Sequence, residues 1–177
     1  MSTLIDISTL TLFSDMTNPS NVRDGSTSTW AYTSTPTGYA GVGINKGYSI
    51  DSAQADPGAY GFDGYNNTKN IVISLYGKVS GTPSNSTDGT LLGSISFAGG
   101  NGLTRTINSN DNTTLFDSVW IRVSSDGGGV AVLSEIRFYG VSAPTTNIKK
   151  LSGITHASIK KICGFSIASI KKISGVQ

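Results

Sequence analysis

The apolar positions of residues 1–141 fall in short runs separated by glycine, proline, asparagine and aspartate. None of these runs keeps the 3.6-residue spacing of a helix for ten or more residues. Alternation and β-branched content predict strands at 4–13, 41–50, 60–63, 70–77, 91–97, 119–123 and 130–140, the last two joined as a hairpin across 126–129. The pattern therefore predicts an all-β head, an antiparallel β-sandwich or jelly roll.

The last 30 residues follow a different pattern, an 11-residue repeat whose copies begin at Ile148, Ile159 and Ile170. Such a period is close to three helical turns, but each copy contains a glycine, which costs roughly 1 kcal/mol relative to alanine in a helix. Short strands with turns at Ser-Gly or Cys-Gly are the better prediction. The chain is thus expected to have a head at 1–141, a Pro-containing linker at 142–147 and a β-repeat tail at 148–177.

Charge divides the chain in the same place. All 11 acidic residues lie between Asp6 and Glu135, which gives the head a net charge of about −4 and the tail about +6. We expect the tail to bind an acidic partner or the head of a second copy in a homo-oligomer, for example a trimer; a disordered basic tail is the alternative. Nucleic acid is a weaker expectation, because the tail lacks arginine and has one aromatic residue, Phe165. The predicted partner-binding residues are Ile148, Leu151, Ile159, Ile162, Ile170, Ile173, Lys149, Lys160 and Lys171.

Few residue types suited to catalysis are present. The only histidine, His156, and the only cysteine, Cys163, both lie in the tail, so the head offers neither a Ser-His-Asp triad, nor a multi-histidine metal site, nor an internal disulfide. Paired carboxylates of a glycosidase are the alternative, because five aspartates occur near turns: Asp56, Asp63, Asp88, Asp111 and Asp126. Aspartate before glycine, as at Asp63, Asp88 and Asp126, is however typical of turns themselves. We therefore expect a protein that is not an enzyme and requires no cofactor. Neither a secretion signal nor a membrane span is expected from the hydropathy of the chain.

Tyrosines are the candidate ligand contacts of the head. Sugars dock their apolar faces on aromatic rings that have polar groups at the edge. Packing is the alternative role for each ring. Trp30 and Trp120 are instead predicted to be core residues. The candidate ligand-binding residues, all in the irregular first half, are Tyr32, Tyr39, Tyr48, Tyr60 and Tyr65.

Two stretches of the head resemble the discoidin family, also called coagulation-factor type C or galactose-binding-like domains. Residues 18–30 (NPSNVRDGSTSTW) are similar to its early Asp-Gly and tryptophan signature, and residues 133–140 (LSEIRFYG) to its closing strand. The resemblance implies a β-sandwich whose loops at one end bind glycans, lipids or proteins. It also implies a calcium site formed by Asp24, main-chain oxygens of Ser26 and Thr27, and Glu135, oxygens of the kind that calcium prefers. The alternative is an Asx turn at Asp24 and a salt bridge from Glu135 to an arginine.

The tail resembles short Ile-Lys-Lys-Ile-Ser-Gly-Val repeats at the ends of bacteriophage structural proteins. This resemblance, with the strict repeat, predicts a virion protein, either a capsid decoration or a fibre. Its tail would anchor to capsid or tail proteins, and its exposed head could bind glycans. The alternative is a free carbohydrate-binding lectin or adhesin whose basic tail is incidental.

Overall fold

The computed structural model describes residues 1–63, 69–98, 103–126, 129–144, 150–151, 154–155, 161–162 and 165–166. The chain divides into two units, Met1–Ser142, which contains the head, and Ala143–Gln177. The described part of the chain contains no helix long and apolar enough to cross a membrane.

Short strands and two turns of 3-10 helix, Pro19–Arg23 and Gly58–Tyr60, make up the regular structure of the head. The strands in the described residues are β1 (Thr3–Leu4), β2 (Leu12–Ser14), β3 (Ala31–Tyr32), β4 (Thr37–Gly43), β5 (Tyr48–Asp56), β6 (Asn70–Lys78), β7 (Thr90–Ala98), β8 (Arg105–Asn108), β9 (Ser118–Ser125), β10 (Val132–Leu133) and β11 (Glu135–Ser142).

Two antiparallel sheets form the sandwich. One has four strands in the order β1-β11-β5-β8, and the other has five in the order β2-β4-β9-β6-β7. A two-residue ladder joins β3 to β10. The prediction of an all-β antiparallel sandwich is thereby confirmed.

Alternation along the strands creates the core between the two sheets. In β9, for example, Val119, Ile121 and Val123 are buried in the core, whereas Arg122 and Ser124, which face the opposite way, are partly exposed. Full burial of a large apolar side chain contributes about 1.5–3 kcal/mol. The larger core side chains include Ile5, Val42, Ile50, Ile71, Ile73, Leu75, Ile107, Val119, Ile121, Val123, Ile136 and Phe138.

The predicted strand at 4–13 is wrong as a single element. β1 pairs with β11 in the four-stranded sheet, and β2 pairs with β4 in the five-stranded sheet. The chain between them crosses from one sheet to the other and keeps Ile5 and Ile7 buried. The guanidinium group of Arg23 donates hydrogen bonds to the carbonyls of Ile7 (3.0 Å) and Leu10 (2.6 Å), which holds this crossing in place.

Two other predicted strands differ from the structure. The segment 41–50 contains a turn between β4 and β5, in which Asn45 and Lys46 have positive φ. The segment 60–63 contains the end of a 3-10 turn rather than a strand.

The predicted hairpin is also wrong, because β9 and β11 lie in different sheets. The predicted strand at 130–140 is interrupted at Ser134, whose amide donates to the carbonyl of Asp56 (2.7 Å). This interruption separates β10, which pairs with β3, from β11, which pairs with β5.

Backbone hydrogen bonds bring several connections together at one end of the sandwich, here called the loop end. Val132 donates to Phe62 (3.0 Å), Ser125 donates to Pro36 (2.9 Å), and Ser134 donates to Asp56. At the opposite end, here called the terminal end, β1 begins and β11 finishes.

The described residues of the tail form two ladders of the predicted kind. Lys150–Leu151 pairs with Ile154–Thr155, and Lys161–Ile162 pairs with Phe165–Ser166, both antiparallel. The paired segments flank Ser152-Gly153 and Cys163-Gly164 in sequence. Leu151 and Ile162, two of the predicted partner-binding residues, lie in these strands. The others, Ile148, Lys149, Ile159, Lys160, Ile170, Lys171 and Ile173, lie outside the described residues.

Candidate functional site

The 3-10 turn Pro19–Arg23 positions the loop that contains the predicted calcium residues. Proline at its start fixes φ for the first turn, and Val22, which is fully buried, attaches the turn to the core. At the other side of this turn, Arg23 donates hydrogen bonds to the N-terminal segment and so fixes the turn there as well. The loop that begins at Asp24 therefore starts from a rigid support.

Asp24 organises this loop through its carboxylate. One oxygen accepts a hydrogen bond from the amide of Ser26 (2.8 Å), and the other accepts one from the hydroxyl of Thr29 (2.6 Å). The bond from Thr29 is the main cause that lowers the pKa of Asp24 below its ordinary value. The bond from Ser26 is the Asx turn that the sequence left open as the alternative to calcium.

Glu135, at the start of β11, faces the same loop from the core side. Its residue is only 4 % exposed, and its Oε1 accepts a hydrogen bond from the amide of Gly25 (2.6 Å). Burial raises the pKa of Glu135, and the nearby Asp24 raises it further. Arg137 is the salt-bridge partner at 3.9 Å, which is too long for a strong hydrogen bond. Glu135 is thus a buried carboxylate whose negative charge is only partly balanced by the Gly25 amide and Arg137.

A third oxygen-rich point lies beside Gly58. A Cβ atom at Gly58 would come within 2.1 Å of Ser134 Oγ and 2.9 Å of the Thr27 carbonyl oxygen. The hydroxyl of Ser134 is buried and has no hydrogen-bond partner. A buried polar atom without a partner is costly unless something else binds it.

These residues fit a hard cation. No cluster of three or more His, Cys, Asp or Glu occurs in the described part of the chain, so a cation here would depend on carbonyl and hydroxyl oxygens besides two carboxylates. Calcium accepts such a mixture. The repulsion by Asp24, which helps to raise the pKa of Glu135, is a feature that a bound cation would relieve.

An open cleft adjoins Glu135, with a volume of about 280 Å³. Its walls are the N-terminal segment from Leu4 to Ser8, Arg23, Gly25 and the first residues of β11. Arg23 and Arg137 contribute positive charge to it, and Asp6 and Glu135 contribute negative charge. The cleft therefore combines apolar walls with charged groups and shares Gly25 and Glu135 with the loop of the candidate cation residues.

The structure places three of the five candidate tyrosines, Tyr32, Tyr39 and Tyr48, in different parts of the head. Tyr32 lies at the loop end on β3, with its side chain 38 % exposed. Tyr48 lies at the terminal end, where it pairs with Ser142 and packs on the core. Tyr39 lies in β4, on the face of the five-stranded sheet turned away from the core. Tyr60 belongs to the second 3-10 turn, and Tyr65 lies outside the described residues.

Tyr32 is held on an ordered backbone. Its amide donates to the Thr17 carbonyl (3.2 Å), its carbonyl accepts from the Thr17 amide (2.8 Å), and the residue pairs with Val132. Near it in the chain, the hydroxyl of Thr33 donates to the Thr35 carbonyl (2.5 Å). The backbone that presents the exposed ring is thus fixed by main-chain hydrogen bonds.

The structure pairs two polar residues at the loop end, Asn70 and Asp126, that no sequence pattern had connected. The carboxylate of Asp126 accepts hydrogen bonds from the amide (3.0 Å) and the side-chain nitrogen (2.5 Å) of Asn70. The only signal in the sequence was Asp before glycine, which predicts a turn. The pairing across 56 positions became visible only in the structure.

Comparison of the sequence with protein-family models gives no match, and comparison with curated protein sequences gives none. Solved structures do match. The family 32 carbohydrate-binding module of NanJ from C. perfringens, in complex with galactose, matches with TM-score 0.60 and 19% identity, over 78% of this chain and 99% of that one. The head therefore has the discoidin-like β-sandwich fold.

Two further carbohydrate-binding modules also match the fold of the head. The AlyQ module in complex with 4,5-unsaturated mannuronic acid matches with TM-score 0.54 and 13% identity, over 77% of this chain and 97% of that one. A module from Clostridium perfringens in complex with GalNAc-β-1,3-galactose matches with TM-score 0.53 and 17% identity, over 77% and 99%. The discoidin resemblance read from residues 18–30 and 133–140 is confirmed at the level of fold.

Proposed function

We propose that the head is a non-catalytic carbohydrate-binding module whose ligand site is at the loop end. The fold supports this proposal, since three modules with the same fold bind galactose, a mannuronic acid derivative and a GalNAc-galactose disaccharide. Because one fold carries different ligands, the argument for this chain has to come from its own residues.

The observation that carries the proposal is the exposed ring of Tyr32 on an ordered backbone. Because the backbone that presents the ring is already ordered, no chain segment has to lose conformational entropy when a sugar stacks on it. The hydroxyls and amides at the same end, including those of Thr35, Asn70 and Thr104, supply hydrogen-bonding groups of the kind that orient a sugar.

We propose that calcium, held by Asp24, the main-chain oxygens of Ser26 and Thr27, and Glu135, stabilises the loop beside this end. The ion would supply positive charge between two carboxylates. Asp24 and Glu135 would bind it, and the main-chain oxygens would complete the set of hard ligands.

Glycan screening of the full chain, followed by calorimetric titration of the best ligand, tests the proposed function. Tyr32→Ala should weaken binding about tenfold, which corresponds to about 1.4 kcal/mol of lost stacking. Val141→Ala is the matched control, because Val141 is comparably exposed (39%) but lies in the last residues of β11 at the terminal end. Binding that is unchanged in Tyr32→Ala, or that is lost equally in both variants, would contradict the loop-end site.

The tail supports a second, separate proposal, a partner-binding element such as the virion anchor predicted from its repeat. The observation in its favour is the recurrence of the same two-residue ladder 11 positions apart, at Lys150–Leu151 and Lys161–Ile162. Isolated two-stranded hairpins are marginally stable in water. Light scattering on the full chain and on a chain that ends at Ala143 tests this role, because only the full chain should oligomerise.

A further inference from the structure

The face of the five-stranded sheet that points away from the core, here called the outer face, carries an ordered set of polar and aromatic side chains. The pairing register places Tyr39, Arg122, Ser74 and Ser94 in one row across β4, β9, β6 and β7. Residues paired directly across antiparallel strands share a face of the sheet. The neighbouring rows are Gly41, Trp120, Tyr76 and Leu91 on one side, and Thr37, Ser124, Val72 and Ser96 on the other.

The row with Trp120 forms an aromatic wall. Tyr76 stacks on Trp120 with ring centroids 5.5 Å apart, and Phe13 contacts Trp120 edge-on at 6.2 Å. Trp120 is fully buried but is not part of the core between the sheets. The connection between β6 and β7 covers it, and the Ser86 carbonyl accepts a hydrogen bond from its indole nitrogen (2.9 Å). The wall is therefore fixed in place.

Arg122 lies beside this wall in the middle of the face. Its Nε is buried and has no hydrogen-bond partner, and the residue as a whole is partly exposed. No acidic group of the described residues forms a salt bridge with Arg122. The two terminal nitrogens of such a partly exposed guanidinium group form a planar pair of donors that matches a carboxylate in a bidentate contact.

Hydroxyl groups surround Arg122 on both sides. Ser74 and Ser94 are hydrogen-bonded to each other at 3.1 Å in the same row, and Thr37 and Ser124 are hydrogen-bonded at 3.1 Å in the next row. On the β4 side lies Tyr39, whose ring contacts that of Phe13 at 6.4 Å. Donors and acceptors on a flat surface beside an aromatic ring complement the hydroxyls and apolar face of a pyranose.

We propose that the outer face is a second binding site of the head and takes an acidic saccharide, with Arg122 binding the carboxylate of a uronic acid residue. The sugar ring lies against Tyr39 and the Ser and Thr hydroxyls. A saccharide fits this face better than an acidic protein segment. Arg122 would be enough to bind a carboxylate, whereas the Ser and Thr hydroxyls beside it match the additional hydroxyls of a sugar ring. The site does not depend on the loop end.

Nuclear magnetic resonance titration of the full chain tests this proposal, with the Arg122 Nε–H and Trp120 indole N–H signals as reporters. The probes are short oligomers of galacturonate, mannuronate and glucuronate, each compared with its methyl-esterified form. We expect at least one acid to shift the Arg122 signal and to bind at least tenfold more tightly than its ester. Arg122→Gln should remove that difference, and Arg122→Lys should restore only part of it, because lysine keeps the charge without the planar fork.

Three controls separate the alternatives. Arg122→Gln should leave the thermal midpoint unchanged, since Nε has no partner to lose; a clear loss of stability would mean that Arg122 is structural. Tyr32→Ala should leave acid binding unchanged; if it abolishes binding, the acid binds at the loop end and the outer-face site is wrong. The proposal is also overturned if no acid shows Arg122-dependent binding, or if triglutamate binds as tightly as the sugars.

Discussion

Calcium should raise the thermal stability of the head by an amount that can be estimated from the site. Asp24 and Glu135 bring two carboxylates together, and burial raises the pKa of Glu135, so an ion between them relieves both desolvation and repulsion. Open sites of this ligand type in extracellular modules bind with dissociation constants of about 0.1–1 mM. At about 10 mM calcium, mass action then gives about 1.4–2.7 kcal/mol. For a domain of this size the midpoint should rise by roughly 4–10 °C.

Glu135→Gln provides the matched variant, because glutamine keeps the Oε1 acceptor for the Gly25 amide. A carboxyl whose pKa in the fold is raised above its ordinary value of 4.5 is favoured in its neutral form. The fold therefore loses the stability associated with Glu135 as pH rises through that raised pKa. At pH 7 without calcium, Glu135→Gln should be as stable as the wild type or more stable. With calcium the order should reverse, because only the wild type gains stability.

Differential scanning calorimetry in chelator, calcium and magnesium checks this reversal. Magnesium should give little effect, since it requires a smaller octahedral site and gives up its water reluctantly. An identical midpoint for the wild type in chelator and calcium would refute the site. A calcium response that survives in Glu135→Gln would refute the role assigned to Glu135.

Three other predictions concern stability and are checked by chemical or acid unfolding. Gly41→Ala should cost at least about 3 kcal/mol, because its Cβ would lie 2.2 Å from the Val119 carbonyl oxygen, whereas Gly43→Ala, with its nearest contacts at 3.9 Å, should change stability by less than about 1 kcal/mol. Trp120→Phe should cost about 1.5–3 kcal/mol through the lost indole bond and ring volume. Hydrogen bonds from Thr114 and Thr113 lower the pKa of Asp111 from 3.8 to about 2. The wild type should therefore lose the stability that these bonds contribute as the pH falls from about 4 to about 2. Asp111→Asn should lack this contribution at neutral pH and should not show this loss.

The strands in the middle of the chain could be predicted because each is governed by local alternation. Residues 70–77 and 119–123 alternate between side chains that face the core and side chains that face outward. This alternation is a property of a single strand and needs no knowledge of its neighbours. The class of the fold follows from the same local property.

The alternation of apolar and polar residues does not predict which strands pair with each other. The alternating residues 4–13 look like one strand, but the chain changes sheets between β1 and β2, and alternation continues through the crossing because Ile5 and Ile7 still face the core. The glycine-rich segment 126–129 likewise suggests a hairpin, although β9 and β11 belong to different sheets. Turn residues indicate that the chain reverses, and not which sheet it enters.

Long-range pairing also decided how much of the candidate sites could be predicted. The contact between Gly25 and Glu135 spans 110 positions, and only the resemblance to the discoidin family connected those two stretches. No resemblance pointed to Arg122. Alternation along β9 predicts that Arg122 shares a face with Trp120, but it does not predict which residues of β4 and β6 lie beside Arg122. Trp120 was predicted to be core because a large aromatic residue in a strand is usually buried there. The connection between β6 and β7 buries it on the opposite face, and that arrangement is what makes the outer face rigid enough to present Arg122 to a ligand.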